Sequence, residues 1–211
     1  MRNARFQMSW IALTVLGLIA GSAWAFPIGV PVFAVLGAMA GTPVVLGVIG
    51  LGLGTAQWPL VRQRLRRSGW WILASAGGLA VGLTLGVVVV EKTGRFLAGG
   101  PTNFRMLGAV ARAASFGTIG LFGGAALGFM QWLVLRRFAQ HSLRWIAINA
   151  ASLGLGLAAG SLLADAILGK AGSFAGATIL FVVASLMVGL FTARAFASLF
   201  PSLASQADDS R

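Results

Sequence analysis

The stretch Gly54-Thr-Ala-Gln-Trp-Pro-Leu-Val-Arg62 returns 74 positions later as Gly128-Phe-Met-Gln-Trp-Leu-Val-Leu-Arg136. In a chain that is 58% hydrophobic, a Gln, a Trp and an Arg in the same order at the ends of two apolar runs call for a common role. The offset continues beyond the two stretches. Gly50 aligns with Gly124, Trp71 with Trp145, Ile72 with Ile146, Ser75 with Asn149, Gly82 with Gly156 and Gly86 with Gly160. The unit is a helix ending in G-x-x-Q-W-x-x-x-R, a turn, and a returning helix starting W-I-x-x-[S/N], as expected of a duplicated helical hairpin. Trp10-Ile-Ala-Leu-Thr14 is a fainter third start, and Gly189-Leu-Phe-Thr-Ala-Arg194 a degraded third end. Together they predict three tandem hairpins related by an axis along the membrane normal.

Composition places these hairpins in a bilayer. Of 211 residues only 9% are charged, against about 25% in soluble domains. A spanning helix needs about 20 mostly apolar residues, and six segments qualify: 8–26, 32–58, 70–90, 113–135, 145–168 and 173–200. The expectation is an all-α integral membrane protein of six transmembrane helices forming one polytopic domain, with a polar tail over 202–211. Pro43 lies inside the second segment and removes a backbone bond there. The absence of Cys excludes disulfides and thiolate metal sites.

The loops alternate in charge. One side holds Arg2, Arg5, Arg62, Arg64, Arg66, Arg67, Arg136, Arg137, Arg144, Arg194 and Arg211. The other holds Lys92, Arg95, Arg105, Arg112 and Lys170, with Glu91 and Asp165. The positive-inside rule makes the first set cytoplasmic, so both termini are expected inside. The net charge of +12 then reads as affinity for anionic headgroups and not for nucleic acid, because no soluble basic domain is present. The start also fits a signal peptide, with an A-x-A site at Ala23-Trp24-Ala25. Its apolar run is of span length, longer than a usual signal core, which favours a retained first helix.

Six of the seven Trp residues (Trp10, Trp58, Trp70, Trp71, Trp132 and Trp145) fall at cytoplasmic segment ends. Indole has an apolar body and one N–H donor, and favours the headgroup boundary. Arg62 and Arg136 follow at helix C-termini, where cations suit the helix dipole and lipid phosphates. Gln57 and Gln131, just inside that boundary, can bond neighbouring carbonyls or a Trp N–H. Gln57, Trp58, Arg62, Gln131, Trp132, Arg136, Trp71 and Trp145 therefore read as an anchor and clasp between hairpins. In the alternative, Gln57 and Gln131 face each other across the pseudo-axis and bind a polar ligand.

The repeated G-x-x-Q-W-x-x-L-R with W-x-x-x-[S/N] resembles a group of small multi-pass bacterial membrane proteins without assigned activity. The likeness covers roughly residues 46 to 160. It is clean at Gly128, Gln131, Trp132, Leu135 and Arg136, and departs at Pro59 and Val61. It implies a membrane protein of repeated hairpins and carries no catalytic residues.

Glycines four apart recur in nearly every segment, as in Gly78, Gly82 and Gly86, and in Gly120, Gly124 and Gly128. Such faces allow close helix approach where no hydrophobic drive exists between helices. They predict a tight bundle packed through these glycines; in the alternative, some ridges face a partner protein, lipid or pigment.

Reactive constellations are sparse. The lone His141 lies in an Arg-rich turn, without the partners a metal site needs. No protease, hydrolase or phosphate-binding motif is present. Asp165 lies in an apolar run, where an ionisable group is a functional candidate. It is expected to pair with Arg112 or Lys170, or else to form a substrate or proton site. No catalytic residue, metal or cofactor is expected. Bound lipid is expected, and a pigment is an option that no residue supports. The leading expectation is a non-enzymatic structural or accessory subunit packed against other membrane subunits. The second is a small-solute-binding component of a transporter, with Asp165, Asn103 and Arg112 converging on an outer pocket. An intramembrane enzyme ranks last.

Overall fold

A computed structural model describes residues 2–65, 68–98, 107–139, 142–168 and 174–199. All regular structure among them is helical: α1 (Arg2–Val61), α2 (Gly69–Ala98), α3 (Ala109–Leu135), α4 (Arg144–Leu168) and α5 (Phe174–Leu199). Each is long and apolar enough to cross a bilayer. The chain is thus an all-α multi-pass membrane protein, because only helices that satisfy their own backbone groups are tolerated in lipid in this form.

The first two expected segments form one element. Residues 27–31, expected between them, are helical, and α1 runs through Pro27, Pro31, Pro43 and Pro59. The break falls instead at Gly37, with φ 72° and ψ 173°. That region is essentially restricted to glycine, whereas proline in a membrane helix is accommodated by neighbouring groups. Glycine, not the proline pair, decides where the chain turns back.

The 60 residues of α1 would extend about 90 Å as one straight helix. They form two antiparallel arms instead. A Cβ placed on Gly17 would come within 2.9 Å of Leu53 Cα, and one on Gly21 within 2.9 Å of Ile49 Cα. Helices α2 and α3 reach well past their expected limits. α2 continues through Glu91 to Ala98, and α3 begins at Ala109, so Arg112 belongs to its first turn.

Each helix packs on the next in chain order, and α5 returns to α1, so the bundle is a closed ring. The seams are set by glycines. On α2, Gly78, Gly82 and Gly86 lie against Leu127, Gly123 and Ile119 of α3. On α3, Gly120, Gly124 and Gly128 lie against Gly154, Ala150 and Ile146 of α4. All six ridge glycines are therefore used inside the bundle. The alternative, that ridges face a partner, does not apply to these six: an added methyl at any of them would strike a neighbouring backbone.

Candidate functional site

The ends of the ring that carry Arg62, Arg64, Arg136, Arg137, Arg144 and Arg194 enclose the most polar part of the interior. Trp10, Trp71 and Trp145 are 0%, 0% and 1% exposed. Their ring centroids form a triangle with sides of 6.2, 6.2 and 5.9 Å, and Phe196 touches all three, stacking on Trp10 at 4.5 Å. Three of the Trp residues expected at the headgroup boundary are therefore core residues. The same amphipathic character serves both places, since buried indole also needs an acceptor for its N–H. Trp70, 64% exposed, does sit on the outside.

The acceptors are the expected Gln residues. Trp71 Nε1–H donates to Gln57 Oε1 at 3.0 Å, and Trp145 Nε1–H donates to Gln131 Oε1 at 2.9 Å. An indole can only donate, so it fixes which way each amide points. Each Gln then donates onward across the next seam. Gln57 Nε2 reaches Thr14 Oγ1 at 2.9 Å, and Gln131 Nε2 reaches Ser75 Oγ at 2.9 Å. Ser75 in turn donates to Trp71 O.

The third set of residues joins the two chain ends. Trp10 Nε1–H donates to Thr192 Oγ1 at 2.9 Å, and Thr192 donates to Val188 O of its own helix. The corresponding glycines repeat the pattern. Cβ atoms on Gly54, Gly128 and Gly189 would approach Ile72, Ile146 and Ile11 Cα at 2.7, 2.8 and 3.2 Å. A polar belt thus runs from α4 through α3 and α2, across both arms of α1, to α5. Among the described residues, the α5–α4 seam has no such bond, and Asn149 Nδ2 donates to Trp145 O of its own helix instead.

Trp58, Arg62, Trp132 and Arg136 lie outside this belt. The Arg62 guanidinium sits 5.0 Å from the Trp58 ring, and that of Arg136 sits 5.5 Å from Trp132. Trp58 Nε1–H also donates to Ser68 Oγ at 2.9 Å. Both arginines are exposed at this end of the ring. A ligand held between Gln57 and Gln131 would need the axis, and three indoles and Phe196 fill it.

At the opposite end Arg112 Nε donates to Asp165 Oδ2 at 3.0 Å, tying the first turn of α3 to the last turn of α4. Their side chains are 14% and 11% exposed. The Ser161 hydroxyl, one turn deeper on α4, is fully buried and makes no hydrogen bond among the described residues. Asn103, Arg105, His141, Lys170 and the 202–211 tail lie outside the described residues. Among the described residues no group of three His, Cys, Asp or Glu is placed to hold a metal.

Two features were not singled out in the sequence. Thr14 is the receiver of Gln57, and Phe196 is the plug of the axis. The position of Phe196, seven after Gly189 as Val61 follows Gly54 and Leu135 follows Gly128, was the available signal. Against known proteins, the chain matches no family model, no curated protein and no solved structure.

Proposed function

We propose that the chain crosses a bacterial inner membrane six times as three duplicated hairpins, with both termini cytoplasmic, and serves without catalysis as an accessory subunit of a larger membrane assembly. The Arg set gathered at the belt end supports the orientation through the positive-inside rule. The recurring Trp–Gln and Gly–Ile contacts support the duplication.

One observation carries the accessory role. From Phe6 to Val61 there is no charged side chain, and the reversal at Gly37 is apolar on its outside. Phe26, Val30, Val35 and Met39 are exposed there, the last two at 80% and 90%. The far end of α2, by contrast, carries Glu91, Lys92 and Arg95. An uncharged reversal at a level where a neighbouring helix meets water fits burial against another membrane protein.

The natural absence of Cys permits a direct test. Single Met39→Cys and Val35→Cys chains, labelled with a thiol-reactive photocrosslinker in native membranes, should each give one discrete protein adduct. Leu155→Cys, on the exposed face of α4, should give none. Adducts with lipid alone from both reversal positions would sink the reading.

A solute-binding component of a transporter is the second reading. The Arg112–Asp165 pair with the unbonded Ser161 hydroxyl beneath it favours this one. If a solute screen finds a compound that raises the unfolding temperature, and Asp165→Asn abolishes that rise alone, the second reading replaces the first.

A further inference from the structure

Helix seams at the Arg-rich end are of two kinds. Between α1 and α2, and between α3 and α4, a short turn of chain joins the helix ends. Between the two arms of α1, between α2 and α3, and where α5 meets α4 and α1, no turn joins them at that end. The seam between the α1 arms is closed by the chain itself, because Arg64 lies over the Phe6 ring at 5.1 Å. At the α2–α3 seam there is instead a cleft of about 540 Å³. Trp70 and Leu73 of α2 form one wall, Met130 and Leu133 of α3 the other, and Phe138 and Arg137 border it beyond the end of α3.

We propose that this cleft holds one acyl chain of an anionic phospholipid, with its headgroup phosphate on the Arg137 guanidinium. The chemistry of the lining selects this occupant. A water-soluble ligand would need several converging polar groups to orient it. The cleft offers one charged group and otherwise mostly apolar side chains, which is the division an acyl chain and its phosphate require. Its level fits as well. Trp70 is exposed, and the Arg62–Trp58 and Arg136–Trp132 pairs mark the same boundary. The positive sign of this end excludes a cationic headgroup and favours an anionic one over a zwitterionic one. The proposal is independent of whether the chain serves a larger assembly.

The test uses the full chain in bilayer nanodiscs with no other protein present. Phospholipids brominated on the acyl chain quench nearby indoles. The Trp70 contribution is the difference between the natural chain and Trp70→Phe. Brominated phosphatidylglycerol, at low mole fraction in phosphatidylcholine, should quench that contribution about fivefold more effectively than brominated phosphatidylcholine, the ratio one guanidinium confers near an anionic headgroup. Arg137→Gln, an exposed change in a turn, should bring the two lipids level. Ala74→Phe, which fills the cleft, should weaken quenching by both. Equal quenching by the two lipids in the natural chain overturns the proposal. So does a preference that survives Arg137→Gln, and that variant decides the matter alone if Ala74→Phe does not fold.

Discussion

The seam between α3 and α4 and the seam between α5 and the first arm of α1 are built on the same plan from different residues. In the first, Gln131 accepts from Trp145 and donates to Ser75 on a third helix. In the second, Thr192 accepts from Trp10 but is too short to reach further, and its hydroxyl turns back to Val188 O. Asn149, left without a donor from α5, bonds its own helix. Phe196 stacks on Trp10 one turn further along α5, where the other seams carry Val61 and Leu135. One seam is held by a relayed hydrogen bond, the other by ring packing around a single bond. A Gln at this site therefore joins three helices, and a Thr joins two.

Glycine gives the largest expected break. Gly50 and Gly124 precede Gly54 and Gly128 by four, and an added Cβ would come within 2.6 Å of Ala76 Cα and 2.7 Å of Ala150 Cα. The corresponding residue of α5 is Ser185, which already carries a side chain and is fully buried. Gly124→Ala should lower stability by about 2 to 3 kcal/mol, in the range of overpacked cores, whereas Ser185→Ala should stay within about 1 kcal/mol. Reversible unfolding in mixed micelles compares them. Equal losses would mean that the seam between α5 and the first arm of α1 is as tight as the α3–α4 seam.

The relay comes next. Gln131→Met keeps much of the volume but leaves the Trp145 N–H buried without an acceptor, at about 1 to 3 kcal/mol. Thr192→Val removes one acceptor in the packed seam, and both variants strand one indole donor. The difference between them measures the onward bond to Ser75, expected at about 0.6 to 2 kcal/mol from hydrogen bonds between membrane helices. It should vanish in a Ser75→Ala background. Persistence there would show that the third helix is not coupled through Gln131.

The smallest effect concerns the outer ring of cations. Arg136→Gln should cost about 0.5 to 1 kcal/mol through loss of its contact with Trp132, and should shift Trp132 emission without altering that of the buried indoles. A larger loss would place Arg136 inside the cluster.

Much of this was legible in residue order. The offset between Gln57 and Gln131 marks equivalent positions, and the spacing of Trp71 and Trp145 from them marks their partners. Gly78 through Gly86 and Gly120 through Gly128 announce close seams, but not which helix each meets. That depends on which face turns inward, and with apolar residues all around a helix the pattern has no clear polar side to show it. The same lack of contrast hid the burial of Trp10, Trp71 and Trp145, because an indole at a helix end fits a headgroup as well as a neighbouring amide. Gly37 was hidden for another reason. One glycine among 30 does not reveal a positive φ, and the break was expected over 27–31, between two runs of span length. An ion pair at Asp165 was legible, since an apolar run leaves an acid few choices, but the sequence left Arg112 and Lys170 both open as its partner.

The bond from Trp10 to Thr192 spans 182 positions. At synthesis rates of about 5 to 20 residues per second, roughly 10 to 40 s separate the emergence of its two ends. Throughout that interval the first indole is in the membrane while its permanent acceptor is unmade. The ring can close only when α5 arrives, so every earlier stage presents an open edge to the insertion machinery, and the last helix made completes the first.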